Sequence, residues 1–231
     1  GLPAGERAQW QAYYDRSQQH LRADKAALAV ELKESGLKEA TAAPYPGPGA
    51  PRVPGGVGTD WYKSPEGKAY VDSIVSYQIP SGGWSKALGF DQGPRKPGMH
   101  WSNKTDSWYY MGTFDNGATT GQLITLARAY QILKDPKYSA AFIKGLDYIF
   151  DAQYPNGGWP QVYPLGGWYH DEVTFNDDAM THVVELLGDV ANGKPDYDFV
   201  DLARRAKART AADAGMRCIL KTQVVENGQL T

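Results

Sequence analysis

The sequence predicts an all-α chain with an α/α toroid-type fold, an open or partial helical barrel with long glycine- and aromatic-rich loops. Apolar residues recur at i, i+3, i+4 and i+7 over several stretches, the spacing of one helix face. Three such stretches, residues 69–78, 137–153 and 198–223, each end at a glutamine and run into a loop. The loops are Ile79-Pro80-Ser81-Gly82-Gly83-Trp84, Tyr154-Pro155-Asn156-Gly157-Gly158-Trp159 and Val224-Val225-Glu226-Asn227-Gly228-Gln229-Leu230. The glutamines lie 75 (153 − 78) and 70 (223 − 153) residues apart. That is too long for a small solenoid repeat and suits a helix pair with an inserted loop.

Along the chain, residues 6–40 place Trp10, Tyr13, Tyr14, Leu21, Leu28, Val30, Leu32 and Leu37 among many charges, which predicts an amphipathic helix broken once or twice. Residues 42–58 hold too many prolines and glycines for a helix or central strand. Residues 1–58 are thus expected to be an N-terminal helical extension with a Pro/Gly-rich loop, and 59–231 the toroid domain. Within it, residues 118–133 carry Leu123, Ile124, Leu126 and Tyr130, and stop at Asp135-Pro136. Residues 138–153 carry Phe142, Leu146, Ile149 and Phe150; residues 179–190 carry Met180, Val183 and Leu187; residues 199–223 carry Val200, Ala211, Ile219 and Leu220. Strands are expected only as short pairs in the glycine-rich loops.

Composition narrows the function. The 231 residues are 42% hydrophobic, enough for a real core. A formal charge of −2 gives no basic field for nucleic acid. The single cysteine, Cys218, permits no intrachain disulfide and no Cys-based zinc site, and its apolar surroundings fit a small core residue. No stretch approaches the roughly 20 apolar residues that span a bilayer. Seven Trp and 15 Tyr beside 26 Gly fit either aromatic core packing or flat surfaces for sugar rings. A polyanionic substrate would need local cations or a bound metal.

A second repeat precedes two of the helices: Thr113-Phe114-Asp115-Asn116-Gly117-Ala118-Thr119 and Thr174-Phe175-Asn176-Asp177-Asp178-Ala179-Met180. One acid at a helix start is ordinarily a cap. Two copies holding Asp115 with Asn116, and Asn176 with Asp177 and Asp178, exceed what capping needs. Helix starts converging on one mouth could share Ca²⁺ through these hard oxygens. The loops before each copy mix aromatic and polar groups, as a sugar groove requires: residues 99–110, with Lys104, and residues 157–171, with Trp159, Gln161 and His170. Lys86, Arg95, Lys96 and Lys104 are candidate partners for carboxylates. No Ser-His-Asp, P-loop or dinucleotide pattern of any strength is present.

These motifs resemble polysaccharide lyase family ten, the pectate lyases. The likeness covers residues 60–231 and rests on Gln78-Ile79-Pro80-Ser81-Gly82-Gly83-Trp84, Asn156-Gly157-Gly158-Trp159-Pro160-Gln161 and the two acid-bearing stretches. It implies an α/α toroid with a central cleft and cleavage of polygalacturonate by β-elimination with Ca²⁺. It places Asp115 and Asp177 at the catalytic and Ca²⁺ centre, with Asp178 open beside Asp177 as the matching acid, so Asp115, Asp177 and Asp178 are the candidate metal ligands. From their own places in the loops and helix starts, Asn116, Asn176, Lys104, Trp159 and Gln161 are candidate substrate contacts. The family's catalytic base, an arginine, is expected beyond residue 231. The domain is therefore expected to be incomplete at its C-terminal side, with a second polypeptide able to complete it. A monomeric, secreted or periplasmic protein follows from the same resemblance. Two other readings stay open: a polyuronate-binding module without catalysis, and another α/α toroid such as a terpene-cyclase-like enzyme. The polar loops speak against the latter.

Overall fold

The computed structural model describes residues 3–53, 55–104 and 111–230. Pro54 of the Pro/Gly-rich loop and residues 105–110, with the aromatics Trp108, Tyr109 and Tyr110, lie outside the described residues. The fold is all-α. Its helices are α1 (Ala4–Glu34), α2 (Thr59–Lys63), α3 (Pro65–Ser76), α4 (Thr120–Leu133), α5 (Pro136–Ala152), α6 (Ala179–Ala191) and α7 (Leu202–Thr222). The described strands are β1 (Val225–Glu226) and β2 (Gln229–Leu230), a short antiparallel pair turned by Asn227 and Gly228 at φ 52° and 78°, left-handed values that an Asn-Gly pair accepts.

Local chemistry sets the helix boundaries. Ser64 accepts from the Gly67 amide at 3.0 Å, with Pro65 in the first turn of α3. Asp135 accepts from the Lys137 amide at 3.0 Å ahead of Pro136, and Asp201 from the Arg204 amide at 2.8 Å. Each oxygen satisfies a helix N–H that has no partner within its own helix. Only Lys134 and Asp135 separate α4 from α5, so the two pack as an antiparallel hairpin. α6 and α7 form the next pair. Leu123, Leu126, Phe142, Leu146, Ile149, Val183 and Leu187, each fully buried, fill the space between them.

The glutamine repeat has a bonding explanation. Gln78 Nε2 donates to Gly82 O at 2.8 Å, closing its own loop, and to Ala141 O of α5 at 2.9 Å. Gln153 Nε2 donates to Gly157 O at 3.0 Å and to Ala211 O of α7 at 2.9 Å. The tryptophans follow the same rule: Trp84 Nε1 donates to Ile74 O and Trp159 Nε1 to Ile149 O, at 2.8 and 2.9 Å. Each indole ring lies against a glycine one helical turn past the glutamine's acceptor, Gly145 under Trp84 and Gly215 under Trp159. Trp159 is only 1% exposed. The expectation that it touches substrate is corrected: its N–H caps a helix end and its ring is core.

α1 corrects a second expectation. It is one unbroken helix of 31 residues. Its buried stripe, Tyr13, Ser17, Asp24 and Leu28, is narrow and half polar, so apolar periodicity alone reads as interrupted. Polar anchors dock it on the body. Tyr13 donates to Ala152 O, and Ser17 accepts from the Leu165 amide. Asp24 accepts from the amide and hydroxyl of Ser81, and Glu31 from Arg95 and the Gly98 amide.

Candidate active site

The two acid-bearing stretches fold alike. Asp115-Asn116-Gly117 and Asn176-Asp177-Asp178 each form one 3₁₀ turn ahead of α4 and α6, and the two turns pack against each other. The second residue of each is left-handed, Asn116 at φ 53°, ψ 34° and Asp177 at φ 50°, ψ 36°. The third is too, with Gly117 at φ 68° and Asp178 at φ 56°. Among residues with a side chain, Asn and Asp tolerate this region best, which gives the Asn/Asp clusters a backbone reason as well as a chemical one.

An extended segment stitches the two copies together. Gln161 O accepts from the Phe114 amide at 3.0 Å and from the Thr113 hydroxyl at 2.7 Å. Trp159 O accepts from the Thr174 amide at 3.1 Å, and the Gln161 amide donates to His170 O at 3.0 Å. Thr113 also accepts from the Asp115 amide at 3.1 Å. The acids are therefore set on a fixed frame.

That frame brings Asp115 and Asp177 together. Asp115 is 2% exposed, and its Oδ2 is ion-paired with Lys86 Nζ. The Asp177 carboxyl and the Gln161 side chain also approach it. Burial works against ionisation of Asp115, but the Lys86 ammonium and the hydrogen bonds from Asp177 and Gln161 hold its pKa below the usual carboxylate value. Asp177 is pushed the other way, by its hydrogen bond to Asp115, then by partial desolvation and by repulsion from Asp115 and Asp178. The pair thus favours one ionised acid, Asp115, facing a more readily protonated one. Asn176 Nδ2 donates to Asp177 Oδ2 at 2.8 Å and steadies it.

The remaining predicted residues are placed as follows. Asp178 is at the N-cap position of α6, but its side chain caps nothing, so capping accounts for neither it nor the pair. Asn116 is exposed and borders a cavity of about 400 Å³ with Gly117, Thr120, Gln122 and His182. Lys104 is exposed at the loop beside the site, and its charge reaches His170. A larger cavity, about 770 Å³, lined by His20, Lys144, Tyr148 and Phe199 among others, includes none of the expected site residues.

Sequence places His170 among the loop residues able to meet substrate. It is 2% exposed. Burial lowers its pKa, Lys86 and Lys104 lower it further, and Asp171 and Asp115 oppose them. A neutral imidazole therefore stands beside the acids at pH 7. On the same turn Trp168 and Tyr169 are 74% and 54% exposed. The signal for them was the Trp-Tyr-His run after Gly166-Gly167, which composition alone cannot distinguish from core.

A hard cation fits this donor set. Asp115 Oδ1 is buried with no hydrogen bond of good geometry among the described residues, and an oxygen left so is what a cation satisfies. The set is narrower than expected. Among the described residues no three His, Cys, Asp or Glu side chains form a metal-holding group, so Asp115, Asp177 and Asp178 do not make a three-carboxylate cage.

A family model described as pectic acid lyase matches residues 78–231. The chain belongs to the pectic acid lyase family. Two solved structures are similar to this pectic acid lyase family chain. One is a family 10 polysaccharide lyase from Cellvibrio cellulosa, 32% identical, covering 74% of this chain and 51% of its own, with a TM-score of 0.62. The other is an aspartate-to-alanine mutant of a family 10 polysaccharide lyase from the same organism, in complex with trigalacturonic acid, with the same identity and TM-score, covering 74% of this chain and 52% of its own. The chain spans about half the length of these structures. No curated protein matches it. Lys86, Asp115, Gln161 and Asp177 all fall within the stretch that matches the pectic acid lyase family.

Proposed function

We propose that the chain carries the cation- and uronate-binding centre of a pectate lyase that cleaves polygalacturonate by calcium-assisted β-elimination. The supporting observation is the meeting of the Asp115 and Asp177 carboxyls, from two helix starts 62 residues apart in sequence (177 − 115), around a buried Asp115 oxygen with no hydrogen bond of good geometry among the described residues. The complex of a related lyase with trigalacturonic acid supports the same substrate class. In this reading the two helical hairpins are consecutive units of an α/α toroid whose loops gather at the mouth.

The reaction removes the proton at C5 of a uronate and breaks the C4–O bond. A C4=C5 double bond forms, and the departing O4 takes up a proton. The difficulty is negative charge building beside an existing carboxylate. Bound through Asp115 and Asp177, Ca²⁺ would supply Lewis-acid stabilisation of that charge. Asn116 and Asn176 offer amides to sugar hydroxyls, Lys104 offers positive charge to a polyanion, and Trp168 and Tyr169 offer ring faces. Gln161 holds Asp115 in place. The proton acceptor at C5 is assigned, by resemblance, to an arginine outside residues 1–231, and a further stretch of polypeptide would present it. No described helix is long and apolar enough to cross a membrane. A polymer that cannot enter cells favours a secreted or periplasmic site of action.

Replacing Asp115 by Ala in the protein together with the stretch that carries the proton acceptor tests this reading. The loss expected in formation of unsaturated product from polygalacturonate is at least about a hundredfold, and removal of Ca²⁺ with EDTA should abolish wild-type turnover. Unchanged turnover in Asp115→Ala overturns the assignment. Retained binding of polygalacturonate with no turnover at any Ca²⁺ concentration favours the binding-module reading.

A further inference from the structure

We propose that Lys86 is a built-in counter-ion of the acid pair: its ammonium occupies Asp115 while the cleft is empty and transfers to a uronate carboxylate on loading, so that cation and substrate enter as a unit. This rests on the calcium reading above.

The geometry gives each part of the exchange. Lys86 Nζ is on Asp115 Oδ2, and the lysine side chain is 28% exposed while that of the aspartate is 2% exposed. The ammonium therefore reaches inward from the solvent side onto a buried carboxylate. The backbone leading to Lys86 is fixed. Trp84 is fully buried, its amide donates to Thr119 Oγ1 at 3.1 Å, and its carbonyl accepts from the Thr113 amide at 3.0 Å. Ser85 is 1% exposed. Exchange proceeds by rotation of a long, flexible side chain about a fixed root.

Competition supplies the coupling. A divalent cation on Asp115 and an ammonium on the same carboxylate repel strongly at contact distance. In the empty cleft, Lys86 neutralises Asp115 and weakens cation binding. A galacturonate unit brings its own carboxylate, a new partner for the displaced ammonium within the lysine's reach. Cation and uronate thereby raise each other's affinity by the same factor, as linkage requires. Lys86 acts here as a positioning residue for the charge balance of the site.

Calcium binding to the whole protein, measured by titration calorimetry with and without trigalacturonic acid, tests the exchange. Lys86→Met keeps the aliphatic stem and removes the charge. Without the trisaccharide, Lys86→Met should bind Ca²⁺ roughly tenfold more tightly than wild type. The extra affinity that the trisaccharide confers on wild type should shrink by a similar factor. A merely structural lysine would leave calcium affinity unchanged or weaken it, and either result, in a variant whose circular dichroism matches wild type, overturns the proposal alone. Asp115→Asn separates the two readings. If it binds Ca²⁺ as wild type does, or if wild type binds none even with the trisaccharide, the calcium reading falls and the exchange with it.

Discussion

Thr119 stands at φ 62°, ψ −56°, and the Thr120 amide donates to Ala118 O at 2.7 Å. This is a γ-turn of the strained kind, which a β-branched residue does not adopt unaided. Its hydroxyl holds the turn by donating to Thr113 O at 2.8 Å and accepting from the Trp84 amide at 3.1 Å. Thr119→Val keeps the shape and leaves both backbone groups without their partner in a buried site. It should destabilise the fold by about 2–3 kcal/mol, read from the midpoint of urea unfolding; a midpoint equal to wild type would show that the hydroxyl does not hold the turn. Sequence patterning reached the acids at this scale because two copies of one motif are visible as spacing. It misplaced Trp159 because an indole in a Gly-Gly-Trp loop looks the same whether its N–H meets a sugar or the Ile149 carbonyl. The exposed rings, Trp168 and Tyr169, come nine and ten residues later on the same loop.

Among the elements, the loop–helix unit is tied by a glutamine that bridges two carbonyls. Its period was legible, and its purpose was not, because the second acceptor lies 63 residues on for Gln78 and 58 for Gln153. Gln153→Leu removes both bonds while keeping the bulk, and should cost about 2–3 kcal/mol. Thermal unfolding by circular dichroism checks it, with an exposed substitution such as Arg22→Ala on α1 as the near-neutral reference. An equal shift in both variants would demote the bridge. Helix ends moved by only a few residues from their sequence expectation, since Ser64, Asp135 and Asp201 mark starts by capping chemistry that acts locally. α1 was the exception. Its docking uses Ser17, Asp24 and Glu31 rather than a continuous apolar face, and polar anchors carry no periodicity.

Across the whole molecule, those anchors make α1 a strap joining the loops near residues 81, 98, 152 and 165. One anchor has a pH signature. Burial pushes the Asp24 carboxyl up to about 6, against the hydrogen bonds from Ser81 and the nearby charge of Lys144. Because the folded value lies above the ordinary 3.8, the fold prefers the protonated acid. The stability this group contributes is fully present below about pH 4, declines as the pH rises toward 6, and is lost above it, a change of about 3 kcal/mol. Asp24→Asn cannot ionise, so the difference in unfolding free energy between variant and wild type should vary across pH 4–6 and level off above 6. A difference constant with pH would rule out this titration. The all-α class, the helix pairs and the acid repeat were thus readable from one sequence, whereas the strap rests on contacts 57 to 148 residues apart.

The two bends that open α4 and α6 trace the same backbone path, yet the acid is the first residue of one and the second of the other. Matching bends offer like seats, and a one-residue offset of the acid makes them unequal, giving a deep, ionised carboxylate on one side and a shallow, proton-prone one on the other. The main chain keeps the pattern, while the chemistry depends on the offset.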